Sequence, residues 1–91
     1  MEQKIQTKII KYLKSQDIYV VKTIAVSRNG VPDLICCING LFFAFEIKDI
    51  KGIVSPLQTA NIIQIQSCGG YAFVVRSLDE VKVILHKCFG D

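Results

Sequence analysis

Between two strand-like apolar runs, "DLICCI" at 33–38 and "LFFAFEIK" at 41–48, the chain carries the dipeptide Asn39-Gly40. No other feature of this 91-residue sequence restricts its folding so tightly. Both residue types tolerate positive φ, so Asn-Gly between apolar runs predicts a two-residue β-hairpin loop. The loop sets the register: Ile38 pairs with Leu41, Cys37 with Phe42, and counting outward Asp33 falls opposite Glu46. Paired residues share one face of the sheet, with Cβ atoms about 4.5–5.5 Å apart. Lys48 lies two residues beyond Glu46 on that same face, whereas Leu34, Phe43, Phe45 and Ile47 point the other way.

Two like charges directly opposite each other destabilise a hairpin. Lys48 offsets part of that repulsion, and a divalent cation offsets more, since carboxylate oxygens suit Mg²⁺ or Mn²⁺. A carboxylate-held metal beside a lysine also has catalytic capacity: it polarises a phosphoryl oxygen and acidifies water, and the ammonium stabilises developing charge. The plainer reading is structural. Glu and Lys two apart often form a solvated pair on an outward strand face, and Asp after Pro is a common turn residue.

The rest of the chain supplies an order of elements. Ile5, Ile9 and Leu13 form an apolar stripe on a helix over residues 2–15, with Lys4, Lys8 and Lys11 on a separate basic stripe. Residues 18–26 are rich in β-branched side chains and predict a strand, and "SRNG" at 27–30 a loop. "IKGIV" at 50–54 reads as a second loop. "SPLQ" opens the next helix, with Ser55 as N-cap, Pro56 at the first helical position and Gln58 three residues on. Apolar residues run around much of that helix, which predicts cover on more than one side, and Gly69-Gly70 ends it. "YAFVV" at 71–75 is a wholly apolar strand of the kind buried in a sheet centre. "SLDE" at 77–80 caps a last helix with Val81, Ile84, Leu85 and Cys88 on one face. The expected fold is α/β: a single domain over residues 1–91 in the order αβββαβα, its mixed sheet flanked by helices.

Composition narrows the function classes. The net charge of +3 is compatible with a polyanionic partner without demanding one. The N-terminus is too charged for a signal-peptide core, and the apolar stretch at 34–45 is too short to span a bilayer, so a soluble, intracellular, cytoplasmic protein is expected. Four cysteines without a C-x-x-C pair, and a single histidine, argue against zinc and for reduced, mostly buried thiols. A chain this short buries a modest core, which leaves dimerisation open.

Two further residues bear on the hairpin acids. Glu2 lies on the Ile5/Ile9 side of the first helix, where a carboxylate needs a partner such as a metal; alternatively it serves the helix dipole in the first turn. The Gln58 side chain either closes the capping box on Ser55 or reaches towards the hairpin; the two are read as alternatives.

"VPD" followed after twelve residues by "EIK" is the pattern of the PD-(D/E)xK nuclease superfamily. The ordered series "ExxI" from Glu2, "GVPDL", "FEIK", "SPLQ" and "GGYAFVVRSLDEV" resembles the VRR-NUC family across nearly the whole chain. The resemblance implies a restriction-endonuclease-like core and metal-dependent hydrolysis of DNA phosphodiesters. It implies Asp33 and Glu46 as ligands of Mg²⁺ or Mn²⁺, the Ile47 carbonyl as a third, and Glu2 completing the site. It implies Lys48 as the catalytic lysine and Gln58 as a glutamine contacting the site. Short stand-alone members resemble dimeric nucleases of four-way (Holliday) junctions, which implies branched DNA as partner and a homodimer. Lys22, Arg28, Lys51 and Arg76 are candidate phosphate contacts, although surface cations are commonly just solvated. Two other classes stand beside this one: a DNA-binding module that keeps the fold without catalysis, and a small interaction protein.

Overall fold

The apolar stripe of the first helix and the period-two alternation of the strands meet on one side of a sheet. In the computed structural model, which describes residues 1–90, the elements are α1 (Glu2–Ser15), β1 (Tyr19–Lys22), β2 (Leu34–Ile38), β3 (Leu41–Ile47), α2 (Pro56–Ser67), β4 (Tyr71–Val75) and α3 (Leu78–Phe89). The sheet order is β1-β2-β3-β4. β1, β2 and β3 are antiparallel neighbours, and β4 runs parallel to β3. A parallel pair requires a crossover, and α2 provides it. The result is the mixed sheet with flanking helices that the sequence predicts, in a restriction-endonuclease-like fold.

The hairpin has the expected register. Ile38 pairs with Leu41, Cys37 with Phe42 and Leu34 with Phe45. Asn39 and Gly40 both take positive φ, 52° and 80°, as the mirror-image turn requires. On one face Leu34, Cys36, Phe43, Phe45, Ile47 and Val75 pack against Ile9 and Leu13 of α1 and Val81 of α3. Fully burying one such large side chain contributes roughly 1.5–3 kcal/mol, so this layer is the main source of stability. The Phe43 ring stacks on Tyr71 with centroids 4.8 Å apart. The opposite face is thinner: Ala44 and Ala72 are small enough for α2 to approach, and Ile62 packs over them.

Beside the edge position of β4, whose wholly apolar run predicts a sheet-centre strand, three sequence expectations are corrected. β1 covers only Tyr19–Lys22, not residues 18–26. It is an edge strand; the Thr23 amide makes one last bond to the Asp33 carbonyl, and the backbone then turns, with the Ile24 amide bonding the Lys22 carbonyl. Second, α2 is covered on one side only: Asn61 and Ile62 are its buried residues, while Leu57 and Ile63 are exposed. The β1–β2 half of that sheet face has no helix over it and leaves Tyr19 and Val21 in the open. Third, the thiols are mostly exposed. Cys36 is buried in the main layer, whereas Cys37 lies on the open half-face and Cys68 and Cys88 at helix ends. All four are free, and burial pushes the Cys36 thiol up to about 12.

Gly30 shows how the long β1–β2 connection is held. It has φ +81°, and a Cβ there would sit 2.7 Å from Leu57 Cγ. Only glycine permits that approach, and Asn61 Nδ2 completes it by donating to the Asn29 carbonyl at 3.3 Å. No helix among the described residues is long and apolar enough to cross a membrane.

Candidate active site

Asp33 comes first in the chain, just before β2. Its backbone carbonyl accepts from the Thr23 amide at 2.9 Å and the Thr23 hydroxyl at 3.0 Å, so the end of β1 fixes its position. Its side chain reaches across to β3, where Oδ2 accepts from the Ile47 amide at 2.8 Å. The carboxylate is thereby held over the end of β3, beside Glu46.

Glu46 points to the α2 side of β3, because its neighbours Phe45 and Ile47 fill the main core. It is 2% exposed, so the solvated Glu/Lys pair of the plainer reading is not what forms. Oε2 accepts from Gln58 Nε2 at 3.1 Å and lies 3.6 Å from Lys48 Nζ. Oε1 is buried and has no hydrogen-bond partner. Burial pushes the Glu46 carboxyl up to about 7; the Asp33 charge adds to that rise, and Lys48 opposes it. A carboxyl with a normal value of 4.5 is thus poised near neutrality.

Lys48 follows on the same face, its side chain 13% exposed. Its backbone amide donates to Val75 at 3.0 Å, which continues the β3–β4 pairing and fixes the stem. Gln58 does both of the things read as alternatives. Its Oε1 accepts from the Ser55 amide at 2.9 Å, its amide donates to Ser55 Oγ at 3.1 Å, and its Nε2 remains free to bond Glu46. The carboxamide has two ends, and each has a separate job.

Glu2 approaches from α1. A Cβ on Gly52 would lie 3.1 Å from Glu2 Oε2 and 3.1 Å from Lys48 Cβ, so the Glu2 carboxylate and the lysine stem converge there. Glu2 does not join the two hairpin acids: among the described residues no three His, Cys, Asp or Glu side chains group closely enough to hold a metal. The Ile47 side chain is buried in the core, with its amide committed to Asp33.

The basic candidates disperse. Lys22 ends β1, and Lys51 lies exposed in the 48–55 loop. Arg28 donates from Nη2 to Gln64 Oε1 at 2.7 Å. Arg76 turns inward, its Nη1 donating to the carbonyls of Asp49 at 2.6 Å and Gly52 at 2.8 Å. It braces the loop that follows Lys48. Sequence reasoning missed this brace and the Thr23 anchor, because both are contacts between residues far apart in the chain.

No family model matches the sequence, and neither does any curated protein. Solved structures do. One described as a VRR_NUC domain superposes with a TM-score of 0.81 at 24% identity, covering 97% of this chain and 96% of its own. The chain has the VRR-NUC domain fold. A second VRR_NUC domain protein gives a TM-score of 0.78 at 24% identity, over 97% of this chain and 87% of its own. Archaeoglobus fulgidus Hjc, a Holliday junction resolvase from an archaeal hyperthermophile, gives 0.63 at 16% identity, over 82% of this chain and 67% of its own. In this VRR-NUC fold the acid pair sits where β2 begins and β3 ends, with the N-terminus of α2 alongside.

Proposed function

We propose that the chain is a metal-dependent endodeoxyribonuclease of the VRR-NUC family that hydrolyses phosphodiesters in branched DNA such as four-way junctions. One observation carries the reading. A buried carboxylate, Glu46, stands beside Asp33 and Lys48 with one oxygen lacking any partner. A native chain rarely leaves a buried polar atom unsatisfied without a reason, and an unmet anionic oxygen beside a second carboxylate fits a hard cation. Asp33 and Glu46, with the Ile47 carbonyl, would hold Mg²⁺ or Mn²⁺. When bound, such an ion supplies Lewis-acid polarisation of the scissile phosphate and acidification of water.

The chain's own groups do the rest. Lys48 presents an ammonium beside Glu46, where it orients the attacking water and counters charge building on the phosphate. Gln58 keeps Glu46 aimed by hydrogen bonding to Oε2, leaving Oε1 for the ion. Asp33 is kept in place by the Ile47 amide and by Thr23. Lys22, Arg28 and Lys51 would meet phosphates and set the duplex in register. Similarity to an enzyme described as a Holliday junction resolvase supports branched DNA as the substrate class.

A homodimer fits the surface. α2 contains no charged residue from Pro56 to Ser67, and it exposes Leu57 and Ile63. A self-complementary contact places one patch against its copy, and a neutral apolar patch suffers no like-charge repulsion there. Two copies would supply two cutting sites for a two-fold junction.

The test is cleavage of a synthetic four-way junction beside a linear duplex, in Mg²⁺, in Mn²⁺ and in chelator. Metal-dependent cutting of the junction is expected, with Lys48→Ala slower by about 10²-fold or more. Binding without product in either metal would leave a non-catalytic DNA-binding module in its place.

A further inference from the structure

The three most exposed large apolar side chains among the described residues are isoleucines: Ile24, Ile50 and Ile53, at 83%, 86% and 85%. Singly, exposed aliphatics are ordinary on protein surfaces. These three share two loops. Ile24 lies in the connection after β1 that ends at Asp33, and Ile50 and Ile53 lie in the connection that begins at Lys48. Lys22 pairs with Leu34 and Leu34 with Phe45, so the end of β1, the start of β2 and the end of β3 lie together. Both loops therefore leave the sheet at the edge that carries the acid pair.

The second loop is braced. One Arg76 nitrogen holds the carbonyls of Asp49 and Gly52, the Lys51 amide donates to Asp49 Oδ1 at 3.0 Å, and the Gly52 amide donates to the Asp49 carbonyl at 3.1 Å. Ile50 stands inside that clamped turn, on the rim of a recess of about 420 Å³ shared with Met1, Ile5 and Lys51. Fixing a β-branched side chain in water serves nothing within the fold. Its charged neighbours are mixed: Lys51 follows it and Asp49 precedes it on the same recess, while Lys22 and Arg28 belong to the Ile24 connection, Arg28 tied to Gln64.

An exposed apolar tip beside a lysine matches an unstacked nucleotide step, whose bases are apolar and whose flanking phosphates are anionic. A continuous duplex opens its base faces only at the cost of unstacking a step, whereas a branch point already interrupts the stack. We propose that Ile50, with Ile53 in the same loop and Ile24 in the connection after β1, is a wedge that packs against the bases opened at a DNA branch point and places the neighbouring phosphate at Asp33, Glu46 and Lys48. This proposal rests on the nuclease reading and adds to it the element that selects branched over linear DNA.

The test uses four-way junctions carrying 2-aminopurine at the branch point, bound by the Lys48→Ala chain so that no strand is cut. Fluorescence is expected to rise on binding, and Ile50→Ser with Ile53→Ser added should abolish the rise. With Lys48 restored, the serine chain should lose about tenfold or more in junction cutting relative to linear duplex. Both isoleucines are exposed, so the melting temperature should stay unchanged; Ile24→Ser alone should give a smaller loss of the same kind. Undiminished fluorescence and junction preference in the serine chain would overturn the wedge while leaving the nuclease intact. Failure of the unaltered chain to bind any DNA would remove both.

Discussion

Gln58 Nε2 lies 3.1 Å from Glu46 Oε2, while Gln58 Oε1 accepts from the Ser55 amide at 2.9 Å. The cap at the start of α2 therefore decides which end of the carboxamide faces the buried acid. Gln58→Glu preserves the cap, since Glu serves the capping box as well as Gln, yet it sets an anion against Glu46. Gln58→Ala loses cap and contact together. Gln58→Ala is expected to cost about 1 kcal/mol of stability. Gln58→Glu should cut DNA more weakly than Gln58→Ala despite the retained cap. Thermal melts and single-turnover cleavage of both variants separate capping from aiming; a fully active Gln58→Glu would remove the aiming role.

Glu46 sets a pH dependence of unusual sign for a carboxylate. Its folded value, about 7, lies above the ordinary 4.5, so the native chain holds a proton that the unfolded chain has already released. Its stabilising contribution is full below about 4.5 and is lost as pH rises through 7. The difference is on the order of 3 kcal/mol. Urea midpoints in chelator should therefore be higher at pH 5 than at pH 8, and Glu46→Gln should flatten the profile.

Metal binding should reverse that loss. At pH 8 an ion replaces the missing proton as the partner of the acid pair, and excess Mn²⁺ should raise the melting temperature. At a hundredfold excess over the dissociation constant the stabilisation is about 2.7 kcal/mol. Asp33→Asn can still accept from the Ile47 amide but lacks the charge, so its apo stability should hold while the Mn²⁺ response disappears. A full response in this variant would place the ion elsewhere.

Arg76 should behave as a brace. Arg76→Lys keeps the charge but cannot span both carbonyls in the same way. A loss of about 1 kcal/mol is expected, with faster hydrogen exchange at the Lys51 and Gly52 amides. Equal exchange in both chains would mean that the loop holds its shape without it.

The legible parts of this molecule were those written in adjacent residues. Asn39-Gly40 announces its own turn, the turn sets the register, and the register brings Asp33 to Glu46. Ser55-Pro56 and Ser77 likewise announce helix starts. The cover over α2 was not legible, because a helix with apolar residues all round looks the same whether one neighbour or two lie beside it. The exposure of Cys37 followed from that same gap. Thr23, Asn61 and Arg76 act on carbonyls far away in the chain, and no local pattern marks a side chain for such work. Gln58 was seen, but its tasks were treated as rivals because the residue was counted rather than its atoms.

The two-residue bend at Asn39 and Gly40 also works as a length gauge for chemistry at the opposite end of its strands. One additional residue there would slide β2 past β3 by a single step, rotating Asp33 away from Glu46 while Glu46 and Lys48 stay together. Every one of these side chains would still be present, and the acid pair would be taken apart from a place that touches neither of them.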